Sequence, residues 1–307
     1  MSEDPLIKRI AQWVDCVPRY RLGLAGFQPA LAYTAATKLL SDIPMNDRTI
    51  EDAIALISNR DWQPKSHATY LGIVLSALVN RFVLEQGHPI ITSGIEPELT
   101  LDLTPLNDRK CSIYTVPLNY VLYRFTGANV TVKGDVKDYF CDHAGPGTVK
   151  LQGIARDWAC RSATGTHVTF ERKVRDHCAA RTGPGSIIDT ILAGNYLARE
   201  NRGAQVIAQW AGRRTAFRQS AGSVVIAMSA GVETAFEMRG GTVTAKDVGK
   251  DAARLMIGGT LDVAGDYSEP IGRGATGGGV ILHQYGRRIT YDLLTTPIAP
   301  SDTSAKL

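Results

Sequence analysis

The 307-residue chain carries 34 Lys and Arg against 30 Asp and Glu, a formal net charge of +4 at pH 7, with 44% hydrophobic and 21% charged residues. These are the proportions of a soluble globular protein, and the mild positive charge comes without a Lys/Arg block, which weighs against nucleic acid as a partner. The most apolar run, Tyr70 to Leu84, is broken by Asn80 and Arg81 and is too short to span a bilayer, so no membrane role is expected. The polar, acidic start Met1-Ser2-Glu3-Asp4-Pro5 lacks the pattern of a secretory signal, and five cysteines, an odd number in a long chain, do not make a disulfide framework. A cytoplasmic protein is the expectation.

Leu6, Ile7, Ile10, Trp13 and Val14 fall at helical spacing and predict a first helix over 4–15, with Pro5 just inside its start. Further helices are predicted over 29–40, over 49–58 behind capping candidates Asn46, Asp47 and Thr49, and over 66–86, where Gly87 and Pro89 form a stop. Four helices with short connections make a helical domain of residues 1–88. From Pro89 the pattern turns to strands: Ile90–Thr92, then Glu98–Thr104 alternating at period two, a turn at Pro105–Arg109, and Ser112–Phe125. Residues 89–126 therefore make a strand-rich transition layer.

From 127 to 291 the chain repeats itself. Gly127, Gly147, Gly165, Gly185, Gly203, Gly222, Gly241, Gly259 and Gly278 follow one another at steps of 18 to 20 residues. Each opens a short β-branched or apolar segment, such as Asn129–Val132, Ser223–Ile226 or Thr260–Val263, and a second glycine often follows. A unit of about 19 residues cannot bury an apolar face alone, but coils stacked about 4.8 Å apart can, with glycine supplying positive-φ corners. The fold class expected is α+β and multi-domain: the helical domain, then a single-stranded, right-handed parallel β-helix of glycine-anchored repeats. Val132, Val149, Leu151, Val225 and Val243 are the candidate buried ladder positions. The tail 292–307, with Pro297 and Pro300, is expected to be irregular.

Gly240-Gly241-Thr242-Val243, Gly258-Gly259-Thr260-Leu261-Asp262-Val263-Ala264-Gly265-Asp266-Tyr267 and Gly277-Gly278-Gly279-Val280 resemble the glycine-repeat (GXGXG) β-helix family. That family includes the C-terminal domain of the glutamate synthase large subunit. It also includes one subunit of formylmethanofuran dehydrogenase and its counterpart in the related formyltransferase/hydrolase complex. The resemblance covers about half of the chain. It implies a structural rather than catalytic domain, partnered with other protein subunits, with no cofactor and no active-site residues to carry over.

Candidate chemistry sits on the repeat itself. Cys141, Cys160 and Cys178 recur at steps of 19 and 18 residues, and beside His143 and His177 they could hold a soft metal or an iron–sulfur cluster. Ala198, Ala216 and Ala235 continue the series, so a ladder of small buried side chains is the plainer reading. Asp138, Asp157 and Asp176 form a second column, suited either to acid–base work or to accepting backbone hydrogen bonds at a turn. Arg213, Arg214, Arg287 and Arg288 are candidates for an acidic partner's contact face. Three functions follow: a non-catalytic scaffold or interaction subunit, a carbohydrate-active enzyme using the charged face, and a metal or redox protein built on the cysteines. Because each candidate recurs periodically while catalysis needs one unique constellation, the scaffold leads.

Overall fold

The computed structural model describes residues 8–10, 12, 28–43, 52–53, 66–85, 98–102, 118–127, 129–284 and 287–294. Helix α1 spans Pro29–Leu39 and helix α2 Ser66–Glu85. Residues 8–10, 12 and 52–53 are also helical; the rest of the helices expected over 4–15 and 49–58 lies outside the described residues, as does the tail beyond residue 294.

Eleven strands follow: β1 (Glu98–Asp102), β2 (Asn129–Lys133), β3 (Gly147–Leu151), β4 (Thr166–Val174), β5 (Ile187–Ala193), β6 (Arg202–Ala211), β7 (Ala221–Ala230), β8 (Thr242–Val248), β9 (Thr260–Val263), β10 (Gly279–Gln284) and β11 (Arg287–Asp292). They form one sheet in strict chain order. Every pairing from β1 to β10 is parallel, and each coil lays its strand beside the last, which makes the chain a β-solenoid. The final pair, β10 with β11, is antiparallel, so the expected run of parallel coils to about 290 stops one strand early.

Register explains the core. Val130, Val149, Val168, Ile188, Val206, Val224, Val243, Leu261 and Val280 stand in one inward column, and all are buried. Two residues on, Val132, Leu151, Phe170, Thr190, Ala208, Ile226, Ala245, Val263 and Leu282 form the next. Burying a Val or Leu side chain fully contributes about 1.5–3 kcal/mol, so the columns are the main cohesive term. Four of the five expected ladder residues occupy them. Val225 does not: it pairs with Ile207 and Thr244 on the outward parity, and its neighbours Val224 and Ile226 point in.

The nine anchoring glycines all have positive φ, from 71° to 152°. The second glycines serve a different end. A Cβ on Gly153 would stand 2.0 Å from the Gly134 carbonyl oxygen, and one on Gly194 would stand 2.3 Å from Asp176 Oδ1. They let one coil pass close over the previous one.

Between the sheet segments each coil makes an arc of turns absent from the sequence expectation. Twenty-four non-glycine residues there have φ between 52° and 64°, three to an arc and alternating: Tyr139, Cys141 and His143 in one, Trp158, Cys160 and Ser162 in the next. Each costs about 1–2 kcal/mol intrinsically. Hydrogen bonds in both directions along the rod hold them: Tyr139 N–H donates to Asp157 O (2.9 Å) on the following coil, and Cys141 N–H to Val121 O (3.0 Å) on the preceding one.

The solenoid begins earlier than the glycine spacing suggests. Strand β1 pairs with β2 from Glu98↔Asn129 to Asp102↔Lys133, and residues 120–124 form the first arc rather than the expected strand. Helix α2 lies over that arc. Ser76 Oγ donates to Tyr120 O (2.7 Å) and accepts from Tyr123 N–H (3.0 Å), and Asn80 Nδ2 donates to Tyr123 O (3.2 Å) and to Tyr33 OH of α1 (2.6 Å). Gly72 brings the two into contact, since a Cβ there would stand 1.7 Å from Asn119 O.

Candidate functional site

The arcs carry nearly all the ionisable and thiol groups singled out from the sequence. The aspartate column starts from the backbone: an Asx side chain at the entry to each of the first five arcs accepts the amide of its counterpart one coil on. Asn119 Oδ1 takes Asp138 N–H (3.0 Å), Asp138 Oδ1 takes Asp157 N–H (3.2 Å), and Asp157 Oδ1 takes Asp176 N–H (3.2 Å). Asp176 Oδ1 then takes Asn195 N–H (2.8 Å), and Asn195 Oδ1 takes Arg213 N–H (3.1 Å). Asparagine does the same work as aspartate at both ends, so the position requires an acceptor oxygen, not a titrating acid.

The next residue of the first five arcs makes a column that sequence reasoning missed: Tyr120, Tyr139, Trp158, His177 and Tyr196, evenly 19 apart in the chain. That spacing was the available signal. Tyr120 stacks on Tyr139 (centroids 4.6 Å, 8° between planes), Trp158 on His177 (4.0 Å, 3°) and His177 on Tyr196 (4.7 Å, 9°). The rings face one another along the rod, and the Arg161 guanidinium covers Tyr139 at 4.7 Å. A base- or sugar-stacking platform needs open ring faces, and the faces engaged in these stacks are occupied. Burial, aided by the Arg199 charge, holds the His177 imidazole below its ordinary value, and its Nδ1 is buried with no hydrogen-bond partner among the described residues. His143 lies elsewhere, exposed, with Nδ1 3.0 Å from Asp142 Oδ1.

The cysteines occupy two columns rather than one. Cys141 and Cys160 continue through Ala179, Ala198, Ala216, Ala235 and Ala253, the central positive-φ residue of each arc. Cys178 falls one residue earlier, in line with Phe140, Ala159 and Leu197, because the 18-residue step to it is one short of the 19 that keeps register. All three are free and fully buried. Burial and then the Cys141 hydrogen bond push the Cys160 thiol well up, against a lowering one from Cys178; for Cys178 the hydrogen bond with Cys160 leads and burial follows. A raised thiol is the opposite of what a metal ligand needs. Among the described residues no group of three or more His, Cys, Asp or Glu could hold a metal ion.

Charge on the arcs is paired from coil to coil. Asp142 has no exposed side-chain surface and takes a two-pronged bond from Arg161, at 3.0 Å from Nε and 2.7 Å from Nη2. Glu233 accepts from Arg214 Nε at 2.6 Å, with Arg254 and Arg213 at 3.4 and 3.5 Å, and the Arg214 hydrogen bond leads in holding its carboxyl below the usual range. Arg214 also donates to Tyr196 OH (2.8 Å). Arg181–Glu200, Arg218–Glu237 and Arg273–Asp251 repeat the motif. Of the four arginines expected to form one contact face, Arg214 is therefore tied into the rod. Arg213 is exposed beside it, and Arg287 and Arg288 are exposed on β11, four strands further along from β7.

Comparison with protein-family profiles, with curated proteins and with solved structures finds no match to this chain. Among the described residues no helix is long and apolar enough to cross a membrane.

Proposed function

We propose that this protein is a non-catalytic scaffold: a stiff rod whose faces hold protein partners at fixed separations. One observation carries the reading. Asp138, Asp157, Asp176, Asp142, Glu233 and the Cys160 thiol are engaged with groups on neighbouring coils, so they serve the cohesion of the rod. Catalysis needs groups left free to move a proton or attack a substrate, and a column that repeats itself offers no distinguished place for one. Three free buried thiols suit a reducing, cytoplasmic setting. The glycine-repeat resemblance directs the search for partners toward complexes of glutamate or one-carbon metabolism, an association by fold analogy alone.

The exposed arginines Arg213, Arg287 and Arg288 are the proposed contacts for an acidic partner. Capture of the full chain from its native source, with co-elution on size-exclusion, tests the reading. A stoichiometric partner, weakened by Arg213→Glu/Arg287→Glu/Arg288→Glu in a salt-dependent way, is expected, because rim charges mainly set association rate and specificity. Turnover of a glycan or another substrate by the purified chain alone would sink it.

A further inference from the structure

The sheet offers a second surface on the outward side of β3 to β9. At its centre Ile191, Leu192, Trp210 and Met228 are 38–42% exposed, next to the half-buried Ile207 and Val225. Leu192 lies beside Trp210, and Ile207 beside Val225, in two rows on either side of a register shift between Ala208 and Trp210. Large exposed apolar side chains gathered on adjacent strands mark an interaction site more often than single ones do.

Charge on either side of the patch says what fits it. The β3–β4 side carries Lys150, Glu171, Arg172 and Lys173; the β8–β9 side carries Lys246, Asp247 and Asp262. Lys150 and Asp262 belong to the same outward row, which runs Lys150, Thr169, Asp189, Ile207, Val225, Thr244, Asp262. Lys173 and Asp247 share another, which runs Lys173, Leu192, Trp210, Ser229, Asp247. Glu171 and Lys246 each directly follow a residue of one inward column, Phe170 and Ala245.

In all three pairs the two residues lie equally far from β6 and have opposite sign. A two-fold axis in the plane of the face, directed along β6, preserves position along the strands and exchanges β4 with β8 and β3 with β9. It therefore sets Lys150 against Asp262, Lys173 against Asp247 and Glu171 against Lys246, each twice. It also sets Trp210 against itself and Ile191 against the Met228 strand. Asp189 and Arg172 find no counterpart of opposite sign. From this self-complementarity we infer that the face seats a second copy of this chain, rod antiparallel to rod. An isologous interface has to match itself in this way.

Six strand spacings of about 4.8 Å by about 20 Å of strand give a face on the order of 600 Å² per protomer. Both protomers together bury about 1,200 Å², enough for a specific interface. The Lys150–Glu171 bond (2.6 Å) is on this surface and half-exposed, so both its members can share partners across the axis. The inference is separate from the scaffold reading, since a rod can dimerise whether or not it holds other proteins.

Analytical ultracentrifugation of the full chain at micromolar concentration and low salt tests it, with circular dichroism to verify folding. The wild type should be a dimer. Trp210→Glu should weaken it on the order of a hundredfold, as for a central aromatic anchor. Glu171→Lys or Lys246→Glu alone, both at exposed positions outside the core, should weaken it on the order of tenfold, and the double swap Glu171→Lys/Lys246→Glu should restore it. Recovery in the double swap is specific to the two-fold arrangement. A monomeric wild type, which would leave the face to a different kind of partner, overturns the inference; so does a dimer that the double swap fails to restore or that Trp210→Glu leaves intact.

Discussion

The Asp142 carboxylate has no exposed surface, and the Arg161 fork supplies its countercharge from the next coil. Removing one partner of such a pair leaves a buried charge uncompensated. Arg161→Ala should cost about 3 kcal/mol in urea unfolding, and Arg161→Lys less, since it keeps the charge and loses the fork. A loss near zero for Arg161→Ala would show that water reaches Asp142. His177 gives a pH signature. Its folded value lies below its unfolded one, so the unfolded chain binds the proton first as pH falls through about 6.5. The stability contributed by neutral His177 is full above that point and declines below it, toward the folded value. The wild type should therefore lose more unfolding free energy between about pH 7 and pH 5 than His177→Phe, which keeps a ring in the stack. Equal losses in the two proteins would remove His177 as the cause.

At the scale of elements, the arcs contradict local propensity. Ser162, at φ 56°, is half-buried and its N–H donates to Ala180 O on the next coil (2.9 Å). Glycine there should raise stability by about 0.5–1 kcal/mol, the relief of left-handed strain less the added freedom of the unfolded chain. Valine, β-branched and strained at positive φ, should lower it; thermal midpoints of both variants decide. Such arcs are illegible in the sequence because nothing local asks Tyr, Cys or Arg to adopt positive φ. Hydrogen bonds to coils about 19 residues away impose it. The anchoring glycines were legible because their conformation is a property of the residue itself. The helices behind Pro29 and Ser66 were legible within a residue at each end, from proline at one start and a Gly–Pro stop at the other. The second glycines answer to the coil beneath them, and the place of Cys178 depends on a one-residue slip that the repeat absorbs.

On the scale of the whole molecule, a rod of parallel coils has two open ends, and unpaired strand edges invite association. At the N-terminal end α2 lies on the first arc through Ser76 and Asn80, and at the other β11 runs back along β10. The spacing of the glycines made the architecture legible and left the site unassigned, since groups that recur from coil to coil single out no one place. On the scaffold proposal the repeated acids hold coils together and do no chemistry. The triple variant Asp138→Asn/Asp157→Asn/Asp176→Asn separates these directly, because an amide keeps the acceptor oxygen, as Asn119 and Asn195 already do, and abolishes any acid–base role. Its unfolding midpoint and its ability to replace the wild-type gene in the native host should both be measured. A near-native midpoint and full replacement are expected; a variant that folds as the wild type does and fails in the host would mean that the acids do chemistry.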